Sequence, residues 1–120
     1  MVHASLRMLI PPKKWEEVAS FLLAFSRRTS VEPGCLCSRV YQDLEQKRGI
    51  LLEELWKDEE QLDRHLRSPE FQKVILMLEL SVAVPEISFK TISRSTGIET
   101  IEKARNVPRA EEGPDLTPSV

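Results

Sequence analysis

Two apolar repeats alternate along this chain, and their order limits what it can fold into. Apolar residues that recur at every second position predict a strand, and apolar residues that recur at every third or fourth position predict a helix. Prolines and the turn pair Pro33-Gly34 mark boundaries between such segments. The sequence therefore predicts a strand, a helix, two strands, a helical segment in two parts and a last strand, over residues 3–10, 12–30, 35–43, 50–57, 58–84 and 86–93.

This order is the split βαβ arrangement of a ferredoxin-like fold. We therefore expect an α+β domain with a four-stranded antiparallel sheet and helices on one face. The other face and the two edge strands would stay uncovered in a monomer. Pairing of two copies would cover them, so we expect a homodimer.

The chain has 120 residues, enough for one domain with one core. We expect the ferredoxin-like domain to fill residues 1–95 and a C-terminal extension to fill residues 96–120. The extension begins with a short helix, predicted over residues 97–105. It should dock on the domain or on a partner, because so short a helix is marginal alone. The acidic, proline-rich tail from Pro108 is expected to be disordered.

Charge and hydropathy argue against two classes of partner. The formal net charge is -2 and basic residues do not cluster, so no nucleic-acid-binding surface is predicted. The most apolar stretch, residues 74–84, is interrupted by Glu79 and is shorter than the roughly 20 residues of a spanning helix. Because no signal segment is recognised at the start, we expect a cytoplasmic protein without a membrane partner.

The sequence contains no metal or cofactor motif. Cys35 and Cys37 would point to the same face of a strand, too far apart for a disulfide, and are predicted to be free thiols packed under the sheet. The two histidines, His3 and His65, are far apart in the sequence. Neither a metal-ligand spacing nor a glycine-rich phosphate loop occurs. We therefore expect no metal site and no cofactor.

Three residues are the leading candidates for a site. Alternation along the third strand places Glu54 and Trp56 on the face towards the helices. They form either a core tryptophan with a hydrogen-bonded or solvated carboxylate, or a pocket wall with a carboxylate whose pKa is raised by desolvation. His65 lies on the inward stripe of the next helix, at a position we expect to be partly exposed. It is either structural or catalytic, since histidine titrates near neutrality.

Arg39 and Tyr41 are second candidates. Alternation along the second strand puts both on one face, with the two cysteines. An arginine there either leaves the sheet at its edge or contacts an anionic substrate. The candidate catalytic residues are His65 and Glu54, and the candidate substrate-binding residues are Trp56, Tyr41 and Arg39.

These residues also match a known pattern. The antibiotic biosynthesis monooxygenase family carries roughly E-P-G-C, then E-x-W, then H followed by S-x-x-F. This chain resembles that family over about residues 3–93. The matching residues are Glu32-Pro33-Gly34-Cys35, then Glu54 and Trp56, then His65, then Ser68 and Phe71. The resemblance implies a dimeric α+β barrel built from two ferredoxin-like subunits.

The resemblance also implies oxidation by dioxygen. Characterised members include cofactor-independent oxygenases of quinols, anthrones and related polyketides, in which the deprotonated substrate supplies the electrons. Relatives with the same fold degrade heme. The position of their iron-binding histidine falls at Ile75, that of their pocket tryptophan falls at His65, and their first-strand asparagine has no counterpart. The resemblance therefore implies no heme chemistry here.

The function predicted from the sequence is a cofactor-independent monooxygenase that oxidises a small aromatic quinol or phenol, or a polyketide-like substrate, with dioxygen. In this hypothesis His65 accepts a proton from the substrate or hydrogen-bonds to it, Glu54 orients a partner, and Trp56 forms the pocket wall. The alternative is a non-catalytic module on the same dimeric fold that binds a small ligand or a partner. A purely apolar pocket, with His65 and Glu54 turned to solvent, would favour the alternative.

Overall fold

The computed structural model describes residues 1–106, and within them four strands form one antiparallel sheet. The strands β1, β2, β3 and β4 span Val2–Leu9, Cys35–Gln42, Gly49–Trp56 and Glu86–Thr91. Their order in the sheet is β2-β3-β1-β4. The helices α1, α2, α3 and α4 span Trp15–Thr29, Glu59–Leu66, Pro69–Glu79 and Ile98–Ala104, and a short 3-10 turn at Pro12–Lys14 precedes α1. The predicted ferredoxin-like α+β fold is confirmed.

The core lies between one face of the sheet and the first three helices. Every second side chain of β1 is buried, as the period-two pattern predicted. β3 pairs with β1 so that Leu6 stands opposite Leu52 and Ala4 opposite Glu54. The helices cover this face with buried apolar side chains from α1 and α3, which are Val18, Leu22, Phe25, Phe71 and Val74.

Two N-terminal caps determine where α2 and α3 begin. The Asp58 side chain accepts a hydrogen bond of 2.9 Å from the backbone N–H of Gln61, at the start of α2. The Ser68 hydroxyl accepts one of 3.3 Å from the backbone N–H of Phe71, and proline occupies the first position of α3. The break between the helices brings His65, near the end of α2, against Phe71 in the first turn of α3.

β2 contains an irregularity that simple alternation did not predict. Its register against β3 shifts so that Cys35 pairs with Trp56 and Cys37 pairs with Leu55. Because Trp56 and Leu55 are adjacent residues of one strand, they point to opposite faces. The prediction that the two cysteines share a face is therefore wrong. Cys35 packs beside Trp56 on the helix side, and both thiols are free.

The C-terminal extension begins with α4, inside the range predicted for a helix. None of the residues of α4 is buried, so its docking, on the domain or on a partner, stays a prediction. The disorder expected from Pro108 onwards concerns residues outside those the structure describes. Between residues 1 and 106, no helix is both long enough and apolar enough to cross a bilayer.

Candidate functional site

His65 lies at the centre of a buried polar network. Its side chain is 1% exposed, and its Nδ1 atom is 3.0 Å from Oε2 of Glu32. Its Nε2 atom is 3.1 Å from Oε1 of Glu54, a residue that is also 1% exposed. Trp56 donates an Nε1–H hydrogen bond of 3.0 Å to the same oxygen of Glu54. The Glu32 side chain is 37% exposed and connects this network to solvent.

The geometry favours a doubly protonated His65. A neutral imidazole has one N–H donor, but here both nitrogens face carboxylates, which only accept hydrogen bonds when ionised. Burial by itself lowers the pKa of His65, but the hydrogen bond and charge of Glu54, followed by those of Glu32, raise it above its ordinary value. The two short contacts and the raised pKa therefore favour an imidazolium held between two carboxylates.

The nearby thiol of Cys35 is unreactive at neutral pH. Burial raises the pKa of Cys35 to about 11, and the charge of Glu54 adds to the increase. A thiol with that pKa stays protonated at neutral pH and is a poor nucleophile. Cys35 therefore contributes packing beside Trp56.

Aromatic rings enclose His65. Its ring centroid lies 4.6 Å from that of Trp56, and 5.5 Å from those of both Phe25 and Phe71. Phe25 comes from α1 and Phe71 from α3, so three elements close around the imidazole. The expectation that His65 would be partly exposed is wrong, because these rings exclude solvent from it.

An apolar pocket of about 560 Å³ lies between α3 and the β4 side of the sheet. Its lining residues are Leu6, Leu66, Phe71, Ile75, Leu78, Glu79, Pro85, Ile87 and Phe89. Among them only Glu79, the last residue of α3, carries an ionisable side chain. The volume falls within the range of roughly 300–1,000 Å³ that is usual for small-molecule sites.

Phe71 stands between the polar network and the pocket. Its ring packs against His65 and also lines the pocket. The structure brings Glu54, Trp56 and His65 together, as the strand register predicted. These three residues do not line the pocket, however, and lie behind its wall.

Arg39 and Tyr41 lie on the face of the sheet that is turned away from the helices. They stand opposite Glu53 and Leu51 in the pairing of β2 with β3, and these two residues alternate with the buried residues of β3. The Tyr41 hydroxyl donates a hydrogen bond of 3.4 Å to Glu53. The structure therefore places Arg39 and Tyr41 on the opposite side of the sheet from the pocket.

Sequence reasoning did not name Glu32 or the pocket lining as site residues. Glu32 belongs to the turn before β2, where no periodicity indicates which way a side chain points. Its one signal was the match to E-P-G-C. The pocket had a weak signal, because α3 is apolar on more than one side and β4 alternates with Ile87 and Phe89 on one face.

Two observations bear on a metal or heme site in the part of the chain that the structure describes. Within residues 1–106, no three side chains of histidine, cysteine, aspartate or glutamate are grouped to hold a metal ion. Ile75, which the resemblance places at the position of the iron-binding histidine of the heme-degrading relatives, lines the pocket with an aliphatic side chain. The pocket therefore does not fit a heme ligated from that position.

The four-stranded sheet with helices on one face defines a ferredoxin-like α+β protein, and the apolar pocket suits a small-molecule ligand. The model of the antibiotic biosynthesis monooxygenase family matches residues 1–75. That match covers more than half of the chain. The chain therefore belongs to the antibiotic biosynthesis monooxygenase family.

Individual proteins resemble this chain in fold or in sequence. The fold is similar to that of a candidate antibiotic biosynthesis monooxygenase from Deinococcus radiodurans, with a TM-score of 0.75 and 24% identity, over 82% of this chain and 98% of that one. A conserved protein from Methanosarcina mazei has a TM-score of 0.67 and 30% identity, over 74% and 89% of the two chains. An uncharacterised protein of Synechocystis is 29% identical over 66 residues, or 55% of this chain. The match spans only 45% of that curated relative's length.

Proposed function

We propose that the chain is a cofactor-independent monooxygenase that oxidises a small aromatic quinol, phenol or polyketide-like molecule with dioxygen. The observation that carries the proposal is the pocket of about 560 Å³, with walls of aliphatic and aromatic side chains, in a member of the antibiotic biosynthesis monooxygenase family. Such walls bind flat apolar rings and keep water away from the reacting atoms.

The proposed reaction needs no bound cofactor because the substrate supplies the electrons. Loss of a proton from a phenol, or from a methylene carbon that the ring activates, leaves an electron-rich anion. The anion passes one electron to dioxygen, and the two radicals combine into a substrate peroxide. Loss of water from the peroxide leaves a carbonyl, so that a methylene group and dioxygen give a ketone and water.

Glu79 is the candidate proton acceptor of the pocket, because it is the lining residue that ionises. A direct role for His65 would require its ring to reach the substrate past Phe71. We therefore propose that His65 and Glu54 position Phe71 and Trp56 from behind the wall. A substrate contact by Arg39 or Tyr41 would need a ligand on the other face of the sheet.

Oxygen uptake with a panel of hydroquinones and anthrones tests the proposal. Glu79→Gln should lower kcat by about 10²–10⁴, the usual contribution of a positioned base. Its matched control is Glu70→Gln, because Glu70 lies on the same helix and is exposed like Glu79 but does not line the pocket. Ile75→Trp should fill the pocket and stop uptake, whereas Leu76→Trp, at an exposed position of α3, should not. Full uptake by both pocket variants would place the reaction elsewhere.

A non-catalytic binding module is the second candidate. It is favoured by the lining itself, in which Glu79 is the one ionisable side chain and nothing else can take a proton. This candidate predicts one-to-one binding of a quinol without oxygen uptake, measured by titration calorimetry. Binding should be lost in Ile75→Trp and kept in Leu76→Trp.

We also propose that two copies pair through the uncovered face of the sheet. Leu51 and Leu55 of β3 are only partly buried on that face, and a partner would remove them from water. Sedimentation at low micromolar concentration should show a dimer. A stable monomer would contradict the pairing.

A further inference from the structure

The helix α4 presents an apolar stripe to solvent. Ile98 is 42% exposed and Ile101 is 55% exposed, and none of the seven residues of α4 is buried. Residues three apart in a helix share a face, so the two isoleucines form one continuous stripe. A helix of two turns is marginal in water without packing. We therefore expect the stripe to pack against an apolar surface.

The rim of the pocket is the matching surface. Ile87 and Phe89 line the pocket and are still 51% and 45% exposed. Both lie on β4, which is an edge strand of the sheet. Because α4 is the next element after β4, the uncovered rim and the uncovered helix are neighbours in the sequence.

The connection between them is long enough for α4 to fold back. Six residues separate Thr91 from Ile98, and the seven steps between their Cα atoms can span about 23 Å when extended. Along β4, Ile87 lies four residues from Thr91, or about 13 Å. The linker therefore reaches the rim with slack, and a short helix of roughly 10 Å matches the length of the rim.

Charge complements the apolar match. Arg105 follows Ile101 by one helical turn and so lies on the face of the isoleucine stripe. Glu79 is the ionisable residue of the pocket lining. Neither side chain has an ion-pair partner among residues 1–106. Folding α4 over the rim would bring the guanidinium of Arg105 towards the carboxylate of Glu79.

We propose that α4 is a lid that closes over the pocket of its own chain. In the closed state Ile98 and Ile101 cover Ile87 and Phe89, and Arg105 approaches Glu79. Closure removes these apolar side chains from water and excludes water from the bound ligand. The purpose of such a lid rests on the proposed function of the pocket, but the closure itself can be measured without any ligand or turnover.

Disulfide trapping tests the lid. Ile87→Cys and Ile101→Cys are introduced together into a chain that also carries Cys35→Ala and Cys37→Ala. Mild oxidation should give a crosslinked monomer about tenfold faster than in the control pair, because a tethered segment has a high effective concentration at the site it covers. The control pair uses Leu44→Cys with Ile101→Cys. Leu44 lies in the turn after β2, at the end of the sheet opposite to that where β4 ends.

Each outcome of the trapping decides the inference. A crosslinked monomer supports a lid on the same chain. A covalent dimer would overturn it and assign α4 to the pocket of a second copy. A rate equal to that of the Leu44 control would show that α4 does not visit the rim at all.

Amide hydrogen exchange gives a second measurement in the natural cysteine background. If the lid closes, backbone amides within α4 should exchange about tenfold more slowly in the wild type than in Ile98→Asp/Ile101→Asp, since burial of the stripe stabilises the helix. The matched control is Thr100→Asp on the opposite side of α4, which should keep the protection. Equal exchange in the wild type and the double variant would refute the lid. Absence of oxygen uptake or ligand binding would instead count against the proposed function and leave these results unchanged.

Discussion

Replacing His65 with alanine tests the buried network most directly. The substitution leaves Glu54 with a single remaining hydrogen-bond donor in the described structure, the Trp56 indole, and leaves its carboxylate buried. Breaking a buried ion pair by removing one partner costs about 3–5 kcal/mol, because the other charge stays buried without compensation. Loss of the ring contacts with Phe25 and Phe71 acts in the same direction. We expect the free energy of unfolding to fall by about 4 kcal/mol.

That loss is large on the scale of this domain. Domains of this size have unfolding free energies of about 5–15 kcal/mol. Each kcal/mol shifts the melting temperature by about 4–8 °C, so the melting temperature of His65→Ala should fall by roughly 16–32 °C. Urea unfolding followed by circular dichroism gives the free energy, and a thermal scan gives the melting temperature.

His3→Ala is the matched control. His3 also faces a carboxylate, with its Nε2 atom 3.1 Å from Oε2 of Glu53, but the two side chains are 30% and 33% exposed. Exposed pairs contribute about 0–1 kcal/mol, so this variant should unfold nearly as the wild type does. A loss below about 1 kcal/mol in His65→Ala, comparable to that in His3→Ala, would refute the buried ion pair.

Three further predictions concern the same residues and the pocket. The raised pKa of His65 means that its ion pairs stabilise the fold fully below about pH 6.5, the value in the unfolded chain, and less as pH rises through the raised pKa. The urea midpoint should therefore fall as pH rises above about 6.5, by more in the wild type than in His65→Ala. A parallel fall in both would contradict this prediction. Gly34→Ala should destabilise by about 1–2 kcal/mol in urea unfolding, because Gly34 has φ +85 and an added Cβ would lie 2.5 Å from the Gln61 side chain. Titration with hemin should give no tight one-to-one complex with a histidine-ligated spectrum, because Ile75 occupies the position of the iron ligand; a Soret shift lost in His65→Ala would show that the ligand had been misplaced.

The meeting of Glu54, Trp56 and His65 could be predicted because it follows from two periodicities. Residues two apart in a strand share a face, and an inward stripe on the next helix must cover that face. The structure agrees, with the Trp56 indole and the His65 imidazole both facing the Glu54 carboxylate. Their chemical role stays a prediction, since periodicity places side chains on a face without indicating what lies on their far side.

The burial of His65 could not be predicted from its own helix. α2 is polar on most of its surface, and the rings that cover the imidazole come from α1 and α3. The second carboxylate, Glu32, lies in a turn where side-chain direction depends on the local backbone and not on a repeat. The bulge in β2 was missed for a related reason, because one extra residue reverses the faces and leaves no mark in the hydrophobic pattern. For this reason Cys35 lies on the helix side of the sheet and does not share a face with Cys37.

The pocket could not be predicted from the sequence, because a pocket forms where inward-facing side chains do not pack against one another. A sequence pattern indicates which side chains turn inwards, but not whether they meet. Ile75 and Leu78 have the spacing of core residues on α3, yet they line a cavity together with Ile87 and Phe89. The apolar residues on several sides of α3 were consistent with a partner surface, and the structure shows one of these sides facing the pocket.

A substitution at Phe71 can separate, by experiment, the polar network around His65 from the apolar pocket. Phe71 packs against His65 and lines the pocket, so its ring keeps the imidazole of His65 out of contact with a ligand in the pocket. Phe71→Leu keeps an apolar side chain and should cost about 1–3 kcal/mol, while it thins the wall in front of His65. Binding of the neutral dye Nile red should then depend on pH over the interval above about pH 6.5 in which His65, whose pKa is raised, loses its proton.

The control for this experiment is Ile75→Leu, which alters the pocket lining away from His65 and should leave binding independent of pH over the same interval. If Phe71→Leu also binds the dye equally at both ends of that interval, the ring does not separate the two regions. In that case His65 does not influence the pocket from behind its wall, and its part in the molecule is limited to holding α2 against β3. A pH dependence already present in the wild type would mean the opposite, that His65 acts on the ligand through the wall, as a substrate-directed role for that residue requires.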